Sequence, residues 1–204
     1  LGIATATASC VLSEHLLCRL AGKPSTIGDW SVTITGLLYG LTLPPGLALW
    51  MVALGGFLGV AMAKFLFGGL GYNAFTPALV ARAFLQAAFP GAMTTWMPAF
   101  DAERFTTLPA SVLAAPFTRP VADAMSGATP LARMKFEGEP TPGLDLLLGL
   151  TAGSSGETCA LLILVGGFYL AARRMLDWRI PAAILGTVAL ASAAMHAIDP
   201  ARYA

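Results

Sequence analysis

Three ionisable side chains lie inside apolar stretches of the sequence: Glu14, Arg82 and Glu157. An ionised group at membrane depth is costly unless it is paired or hydrated, so each is a candidate functional residue. For Glu14 we favour a simpler interpretation, in which it marks the frayed end of a helix together with Arg19. Arg82 could pair with a helix end or a neighbouring subunit, or it could anchor an anionic or carbonyl-rich ligand. Glu157 follows a glycine-containing break and could occupy the first turn of a helix or an ion site.

A glycine-rich turn precedes Arg82. Gly68-Gly69-Leu70-Gly71-Tyr72-Asn73 follows an apolar stretch, and the next residues predict a helix with Thr76 as its N-cap and Pro77 at its first position. Three glycines let a second backbone or a flat ring approach closely. No strand precedes them and no GxGxxG pattern occurs, so the spacing is not a dinucleotide fingerprint. These residues alone favour a tight turn between membrane helices.

A hydroxyl-bearing motif, Asp123-Ala-Met-Ser126-Gly127-Ala128-Thr129-Pro130, lies in the long polar stretch that covers residues 90–142. Small residues around a hydroxyl, followed by proline, predict an exposed turn that another enzyme could enter. The stretch contains no histidine to act as a base, so we do not interpret Ser126 or Thr129 as a catalytic nucleophile. A loop of this length is usually functional or disordered rather than a simple connection.

The elements that must position these residues are strongly apolar. Of the 204 residues, 56% are hydrophobic and 11% are charged, and the mean hydropathy is +0.72. A soluble domain carries about 25% charged residues, so this chain has too few polar side chains to cover a surface in water. It is predicted to lie in a bilayer. A net charge of +1 argues against nucleic-acid binding, and the apolar composition excludes disorder.

The cysteines and histidines form no recognisable site pattern. Cys10, Cys18 and Cys159 lie in apolar stretches, are odd in number and lack CxxC spacing, so we interpret them as small buried hydrophobic residues. His15 and His196 are far apart in the sequence, which disfavours a zinc or haem site. We therefore predict no metal site and assign no catalytic residue.

Six apolar segments are candidate membrane spans, since a span needs about 20 apolar residues. They cover residues 1–20, 31–43, 46–67, 77–89, 144–172 and 180–197. We predict an all-α fold, a polytopic membrane helical bundle that forms a single domain over residues 1–204. The long loop, residues 90–142, lies between the fourth and the fifth segment.

Two of these segments are predicted to be broken or half helices. Residues 31–43 are cut off by Pro44-Pro45-Gly46, and residues 144–172 are interrupted at residues 151–157. Interrupted segments in two parts of a membrane protein often line a central site, because irregular backbone survives at membrane depth only where it is buried or faces a cavity. A helical kink packed against its neighbours is an equally weighted alternative.

The positive-inside rule predicts an orientation for these spans. If residues 173–179 are cytoplasmic, strict alternation places Arg19, Lys23 and Lys64 on the same side and the long loop on the outer face. The alternation holds only if residues 31–43 cross the membrane completely. The long loop carries four basic and five acidic residues, as expected for a translocated loop: Arg104, Arg119, Arg133 and Lys135 against Asp101, Glu103, Asp123, Glu137 and Glu139.

Over nearly its whole length the chain resembles the D subunit of the Rnf electron-transport complex, a close relative of the B subunit of the sodium-translocating NADH:quinone oxidoreductase. The most specific element is Asp123-x-x-Ser126-Gly127-Ala128-Thr129, which looks like the D-x-x-[ST]-G-A-T acceptor sequence of flavin transferase. The other matching elements are Gly28-Asp29, Thr35-Gly36-Leu37-Leu38, Leu43-Pro44-Pro45, Gly68-Gly69 with Asn73, Pro77 and Arg82, residues 153–157, and Asp177-Trp178-Arg179-Ile180-Pro181.

The resemblance implies that Thr129 carries covalent FMN, because the final threonine of the motif holds FMN through a phosphoester bond in that family. Flavin transferase is then expected to recognise Asp123, Ser126, Gly127 and Ala128. The charge of the phosphate could be offset by Arg119, Arg133 or Lys135. The resemblance also allows a second, non-covalent flavin (riboflavin) near Gly68, Gly69, Asn73 and Arg82. The family is flavinylated on the periplasmic side, in agreement with the charge count.

The resemblance implies an architecture and a function as well. The broken helices would belong to an inverted-repeat architecture similar to that of urea and ammonium transporters. The chain would be a flavin-bearing component of a complex in the bacterial inner membrane, where ferredoxin:NAD electron transfer is coupled to sodium or proton translocation. Its expected partners are other Rnf subunits, including another flavin-carrying subunit. The family extends beyond both ends of the sequence, so Leu1 and Ala204 are expected to be cut points.

Two residues indicate the branch of the family. Phe65 stands where the quinone-reducing relative has an acidic residue, and Leu70 follows the double glycine as in Rnf proteins. Both favour the Rnf branch and disfavour a quinone site at Gly68 and Gly69. The alternatives are a passive channel or transporter subunit of the same fold, whose broken segments form the permeation site, and an assembly subunit without a redox role.

Overall fold

The computed structural model describes residues 1–24, 27–69, 71–97, 112–116 and 128–198. Within these ranges the regular elements are helices and no strand occurs, as the sequence predicts. The α-helices are α1 Gly2–Leu20, α2 Ser31–Leu41, α3 Leu49–Gly59, α4 Pro77–Ala88, α5 Pro90–Thr94, α6 Pro130–Ala132, α7 Gly143–Leu148, α8 Ala160–Ala172 and α9 Arg179–Ile198. A 3₁₀ turn covers Ile27–Asp29, and π-helical turns cover Val60–Phe65 and Arg133–Glu137.

The chain divides into two compact units, Leu1–Ala160 and Leu161–Ala204. The boundary falls at the start of α8, and the second unit contains α9. The single membrane domain and the inverted-repeat architecture stay predictions.

Close backbone contact holds α1 against α2. A Cβ atom built at Gly36 would lie 2.6 Å from Cα of Thr7, and one at Gly40 would lie 2.9 Å from Cα of Ile3. Both distances are shorter than any side chain tolerates, so only glycine lets the two helices approach this closely. Small residues serve this purpose in membrane helices, where packing rather than the hydrophobic effect drives association. The core of the first unit forms around this contact and includes Ala6, Cys10, Val32, Tyr39, Val52 and Leu85.

The predicted apolar segments correspond to the helices within a few residues at most ends. Residues 46–67 form α3 and the π-helical turn Val60–Phe65, and residues 144–172 form α7 and α8 with a break between them. The chain leaves helix α2 at Leu41, ahead of Pro44-Pro45. Both predicted interruptions are therefore confirmed.

Among the described residues, one helix is long and apolar enough to cross a membrane by length and composition, Arg179–Ile198. At 1.5 Å per residue its 20 residues extend about 30 Å. The shorter apolar helices are Ser31–Leu41, Leu49–Phe65 and Ala160–Ala172. Cys10 and Cys18 are buried free thiols, as expected for small hydrophobic residues, whereas Cys159 is only half-buried.

Candidate functional site

Thr129 begins a short helical turn. Its backbone is extended (φ −68°, ψ 156°), and its side-chain oxygen accepts a hydrogen bond from the backbone N–H of Ala132 at 3.3 Å. Pro130 takes the first helical position, and the N–H of Arg133 donates to the carbonyl of Thr129 at 2.9 Å. Ala128 is exposed and Thr129 is half-buried. The hydroxyl thus lies at the start of a turn that reaches the surface.

The rest of the flavin-acceptor motif, Asp123, Ser126 and Gly127, lies outside the described residues, as does Arg119. The N-cap position of Thr129 could have been read from the sequence. Thr129-Pro130 has the same threonine-proline signature from which we predicted the start of α4 at Thr76-Pro77. The structure confirms that start, although the Thr76 side chain makes no capping hydrogen bond.

The cations after Thr129 are differently engaged. Nη2 of Arg133 lies 3.0 Å from Oε2 of Glu139, and Nε of Arg133 lies 3.6 Å from Oε2 of Glu137. Nζ of Lys135 lies 5.3 Å from the centroid of the Phe136 ring. Of the cations that could offset a phosphate on Thr129, Arg133 is therefore paired with carboxylates and Lys135 lies over an aromatic ring.

The glycine-rich turn needs its glycines. Gly68, Gly69 and Gly71 have φ of +102°, +105° and +90°, which residues with a Cβ atom rarely adopt. A Cβ atom at any of them would meet none of the described residues within 4 Å, so space is open beside the turn. The N–H of Gly69 donates to the carbonyl of Lys64 at 3.0 Å, which fastens the turn to the preceding π-helical turn.

Asn73 carries an unusual polar atom beside this turn. Its Oδ1 is buried and has no hydrogen-bond partner among the described residues. Leaving a buried acceptor without a partner costs about 1–3 kcal/mol. A bound group with an N–H or O–H donor would fit this position. Of the other residues predicted here, Gly68 and Gly69 adjoin open space and Arg82 lies on α4.

Arg82 pairs with Glu157. Nη1 of Arg82 lies 2.7 Å from Oε1 of Glu157, and the two side chains are 29% and 53% exposed. Neither structural partner that we considered for Arg82, a helix end or a neighbouring subunit, is the one observed. The first-turn interpretation of Glu157 is wrong, because α8 begins only at Ala160. The pairing joins two ionisable groups that sequence analysis treated separately, although both needed a partner of opposite charge.

Glu14 is a buried residue and does not mark a frayed helix end. Helix α1 continues to Leu20, and Oε2 of Glu14 lies 2.7 Å from Nζ of Lys64, with both side chains 4% exposed. Nζ also donates to the hydroxyl of Ser31 at 2.7 Å. The frayed-end interpretation failed because it considered only the neighbours of Glu14 along the chain. Lys64 is likewise not a loop cation, so the charge count for the orientation loses one of its basic residues.

The two broken segments meet. The N–H of Gly156 donates to the carbonyl of Leu41 at 2.9 Å, and the N–H of Ser155 donates to that of Leu43 at 3.5 Å. A Cβ atom at Gly156 would lie 2.8 Å from Cβ of Leu41, so the contact needs glycine. A cavity of about 180 Å³ lies beside this contact, and its lining includes Gly40, Leu43, Pro44, Pro45 and Ser155.

The interior of this contact contains a second unpartnered polar group. Ser154 is 1% exposed, and its hydroxyl oxygen has no hydrogen-bond partner within the described ranges. The sequence predicts that the interrupted segments line a central site. The structure brings these two segments together beside a cavity, and a central site there stays a prediction.

With this geometry in place, comparison with known proteins gives the family. The family model described as "NQR2, RnfD, RnfE family" matches residues 1–204. The chain belongs to this family. The resemblance to the D subunit is therefore confirmed at the level of the family.

Curated relatives in the family are similar over most of the chain. The D subunit of the proton-translocating ferredoxin:NAD(+) oxidoreductase complex of Clostridium ljungdahlii is 37% identical over 92% of this chain and 54% of the relative. The D subunit of the ion-translocating oxidoreductase complex of Halorhodospira halophila is 38% identical over 95% and 58%. The D subunit of the Na(+)-translocating ferredoxin:NAD(+) oxidoreductase complex of Acetobacterium woodii is 37% identical over 92% and 54%.

The chain spans a little more than half the length of these relatives. Their names describe ion translocation, which takes place across a membrane, and the family indicates a membrane-embedded subunit. None of these three names mentions a flavin.

Proposed function

We propose that this chain is part of the flavin-bearing D subunit of a membrane complex that couples ferredoxin:NAD electron transfer to the translocation of sodium ions or protons. The relatives named above support the complex and the reaction. The observation that supports the presence of a flavin is the acceptor sequence that ends at Thr129. The hydroxyl of Thr129 lies at the start of a turn that reaches the surface. The chain supplies one component of the oxidoreductase and does not act alone.

In this proposal, Oγ of Thr129 forms a phosphoester with FMN. Flavin transferase makes the bond from a flavin dinucleotide: Oγ of Thr129 bonds to the FMN phosphorus, the P–O bond to the second nucleotide breaks, and that nucleoside monophosphate leaves with the hydroxyl proton. The net addition to the chain is FMN less one water. The isoalloxazine ring supplies the electron transfer, while the protein positions it. Thr129 keeps the flavin in place in every redox state because the attachment is covalent. The half-buried position of Thr129 keeps the phosphate near the surface of the protein.

A second, non-covalent flavin belongs beside the glycine-rich turn. The support is the open space next to Gly68 and Gly69 and the unpartnered Oδ1 of Asn73. Riboflavin has N–H and O–H groups that could donate a hydrogen bond to Oδ1 of Asn73. Arg82 lies further along α4, and its pair with Glu157 would have to open or be shared for it to bind the flavin.

The location and partners of the chain follow from the same proposal. The protein spans the inner membrane of a bacterium several times, with the Thr129 loop on the periplasmic side. It contacts lipid, other Rnf subunits including another flavin-carrying subunit, and flavin transferase during maturation. The large number of exposed apolar side chains on α8 and α9 supports surroundings of lipid or of neighbouring membrane helices.

Flavin fluorescence on a denaturing gel tests the flavin directly. The full-length protein, produced in a host that has flavin transferase, is expected to give a fluorescent band that Thr129→Ala abolishes. Thr141→Ala, which removes a hydroxyl outside the motif, is the matched control and should keep the fluorescence. Mass analysis of the peptide with Thr129 should show the mass of FMN less water. A wild-type band without fluorescence, together with an unmodified peptide, would refute the proposal that the protein carries a covalent flavin.

One observation favours a second candidate function, a passive channel or transporter subunit. The contact between residues 41–43 and residues 155–156 lies beside a cavity of about 180 Å³, and interrupted segments that meet at a cavity are typical of the central sites of transporters. The two candidates differ in the gel experiment, because a channel protein carries no flavin. Ion flux through the purified protein in vesicles, without an electron donor, is expected only for the channel.

A further inference from the structure

The helical turn that follows Thr129 places the backbone of one cationic residue, Arg133, next to Thr129. The N–H of Arg133 donates to the carbonyl of Thr129 at 2.9 Å, and the N–H of Ala132 donates to Oγ of Thr129 at 3.3 Å. Thr129 precedes the helical turn, and the hydrogen bond from the N–H of Arg133 places the backbone of Arg133 one turn after it. A group attached to Oγ of Thr129 therefore lies within reach of the long Arg133 side chain.

The ion pairs of Arg133 with Glu137 and Glu139 are exposed and therefore weak. The Arg133 side chain is 44% exposed, and the paired Glu137 and Glu139 are 53% and 67% exposed. Exposed ion pairs contribute only about 0.2–1 kcal/mol. A second anion close by can therefore displace one carboxylate, or share the guanidinium with it, at little cost. The planar fork of arginine fits phosphate oxygens in a bidentate manner.

Lys135 is the alternative cation, and it is less well placed. It follows Thr129 by six residues, whereas the backbone N–H of Arg133 bonds the carbonyl of Thr129 directly. Its ammonium group lies 5.3 Å from the centroid of the Phe136 ring. Among the cations of the described turn, Arg133 is therefore the one that a phosphate on Thr129 would meet.

We propose that Arg133 is the positioning residue for the phosphate of the flavin on Thr129, and that it exchanges Glu139 for that phosphate when the flavin is attached. This inference rests on the proposed phosphoester. The ester leaves one negative charge on the phosphate, which the guanidinium of an arginine can offset through paired hydrogen bonds. The contact restrains the tether and so limits the range of positions of the ring.

The test measures the motion of the flavin in the full-length protein. Flavin occupancy is determined first, by mass and absorbance, and time-resolved fluorescence anisotropy is then recorded for the wild type and for Arg133→Gln, Arg133→Lys and Lys135→Gln. Arg133→Gln is expected to raise the amplitude of the nanosecond component roughly two-fold. Arg133→Lys should recover part of the restraint, and Lys135→Gln should match the wild type.

Two further measurements separate this role from a structural one. Added salt should increase the flavin motion in the wild type but not in Arg133→Gln, because only the wild type has an exposed charge contact to screen. Glu139→Gln removes the competing carboxylate, so it should restrain the flavin more than the wild type does.

The outcomes distinguish the two proposals. If the wild-type protein carries no flavin, the ester does not exist and both proposals are refuted. A flavinylated wild type whose anisotropy equals that of Arg133→Gln would overturn the role of Arg133 alone. If Arg133→Gln accepts no flavin while Arg133→Lys does, Arg133 acts at the attachment step, and its proposed role on the finished ester is overturned.

Discussion

Two ion pairs link distant parts of the first unit, and they differ in what surrounds them. Glu14 and Lys64 approach to 2.7 Å with both side chains 4% exposed. Arg82 and Glu157 approach to the same distance with side chains that are 29% and 53% exposed. Equal distances do not mean equal energies, because the effective dielectric constant falls with burial and the cost of an unpaired charge rises.

The difference indicates different roles for the two pairs. The buried pair holds α1, the start of α2 and the π-helical turn together, since Nζ of Lys64 also donates to Ser31. The half-exposed pair joins α4 to the break before α8, and either partner remains accessible to another ligand. We therefore expect the first pair to matter for folding and the second to be exchangeable.

The largest effect is expected when the buried pair loses one partner. Glu14→Gln leaves the Lys64 ammonium buried without a counter-charge, which should lower the free energy of unfolding by about 3–5 kcal/mol. Thermal unfolding of the full-length protein in detergent measures it. The double variant Glu14→Leu with Lys64→Met removes both charges and should recover most of the loss. A single variant as stable as the wild type would contradict the assignment.

A smaller effect is expected at the third member of the buried network. Ser31→Ala removes the hydroxyl that accepts a hydrogen bond from Lys64 at 2.7 Å. Hydrogen bonds to charged groups contribute about 1.5–3 kcal/mol, and unfolding in detergent should show a loss in this range. Thr35→Ala on the same helix is the matched control, because its hydroxyl donates to the carbonyl of Ser31 in its own helix. An equal loss of unfolding free energy in both variants would contradict a stabilising role for the hydrogen bond between Lys64 and Ser31.

The half-exposed pair should tolerate neutralisation. Arg82→Gln or Glu157→Gln is expected to cost no more than about 1 kcal/mol, because solvent or a neighbouring group can replace the missing partner. The same unfolding assay measures it. A loss as large as that of Glu14→Gln would show that the assembled protein buries this pair, and the contrast between the two pairs would then disappear.

The smallest effect concerns the exposed end of the buried network. Hydrogen bonds from the side chain and the backbone N–H of Ser31 hold the pKa of Asp29 below its ordinary value of 3.8. A lowered pKa means that the ionised carboxylate stabilises the folded state above the ordinary value. This contribution should fade as the pH falls through 3.8 and below the lowered pKa. Unfolding measured against pH should show a small acid step that Asp29→Asn removes.

The sequence was sufficient for the long apolar helices and their interruptions, whereas the short helices α5 and α6 lie in the stretch predicted as a loop. Apolar length predicted the segments, Pro44-Pro45 and residues 151–157 predicted the breaks, and Thr76-Pro77 predicted the start of α4. These signals are local, because they depend on the backbone preferences of a few neighbouring residues.

The ion pairs could not be predicted in the same way. Glu14 and Lys64 are 50 residues apart, and Arg82 and Glu157 are 75 residues apart. No local rule chooses among the possible partners. Lys64 also precedes a glycine turn, where a cation normally flanks a span, and no sequence period marks the π-helical turn in which it lies. Thr129 was found through a motif, whereas its hydrogen bond to Ala132 required the structure.

The hydrogen bonds between the two broken segments limit how either can move. The carbonyls of Leu41 and Leu43 lie at the end of α2, where a helix leaves its last acceptors unused, and the N–H groups of Gly156 and Ser155 fill them. Separating the two segments would leave backbone N–H groups of one and carbonyl groups of the other without hydrogen-bond partners. Any displacement of this region is therefore cheapest when residues 41–43 and residues 155–156 move together as one rigid piece.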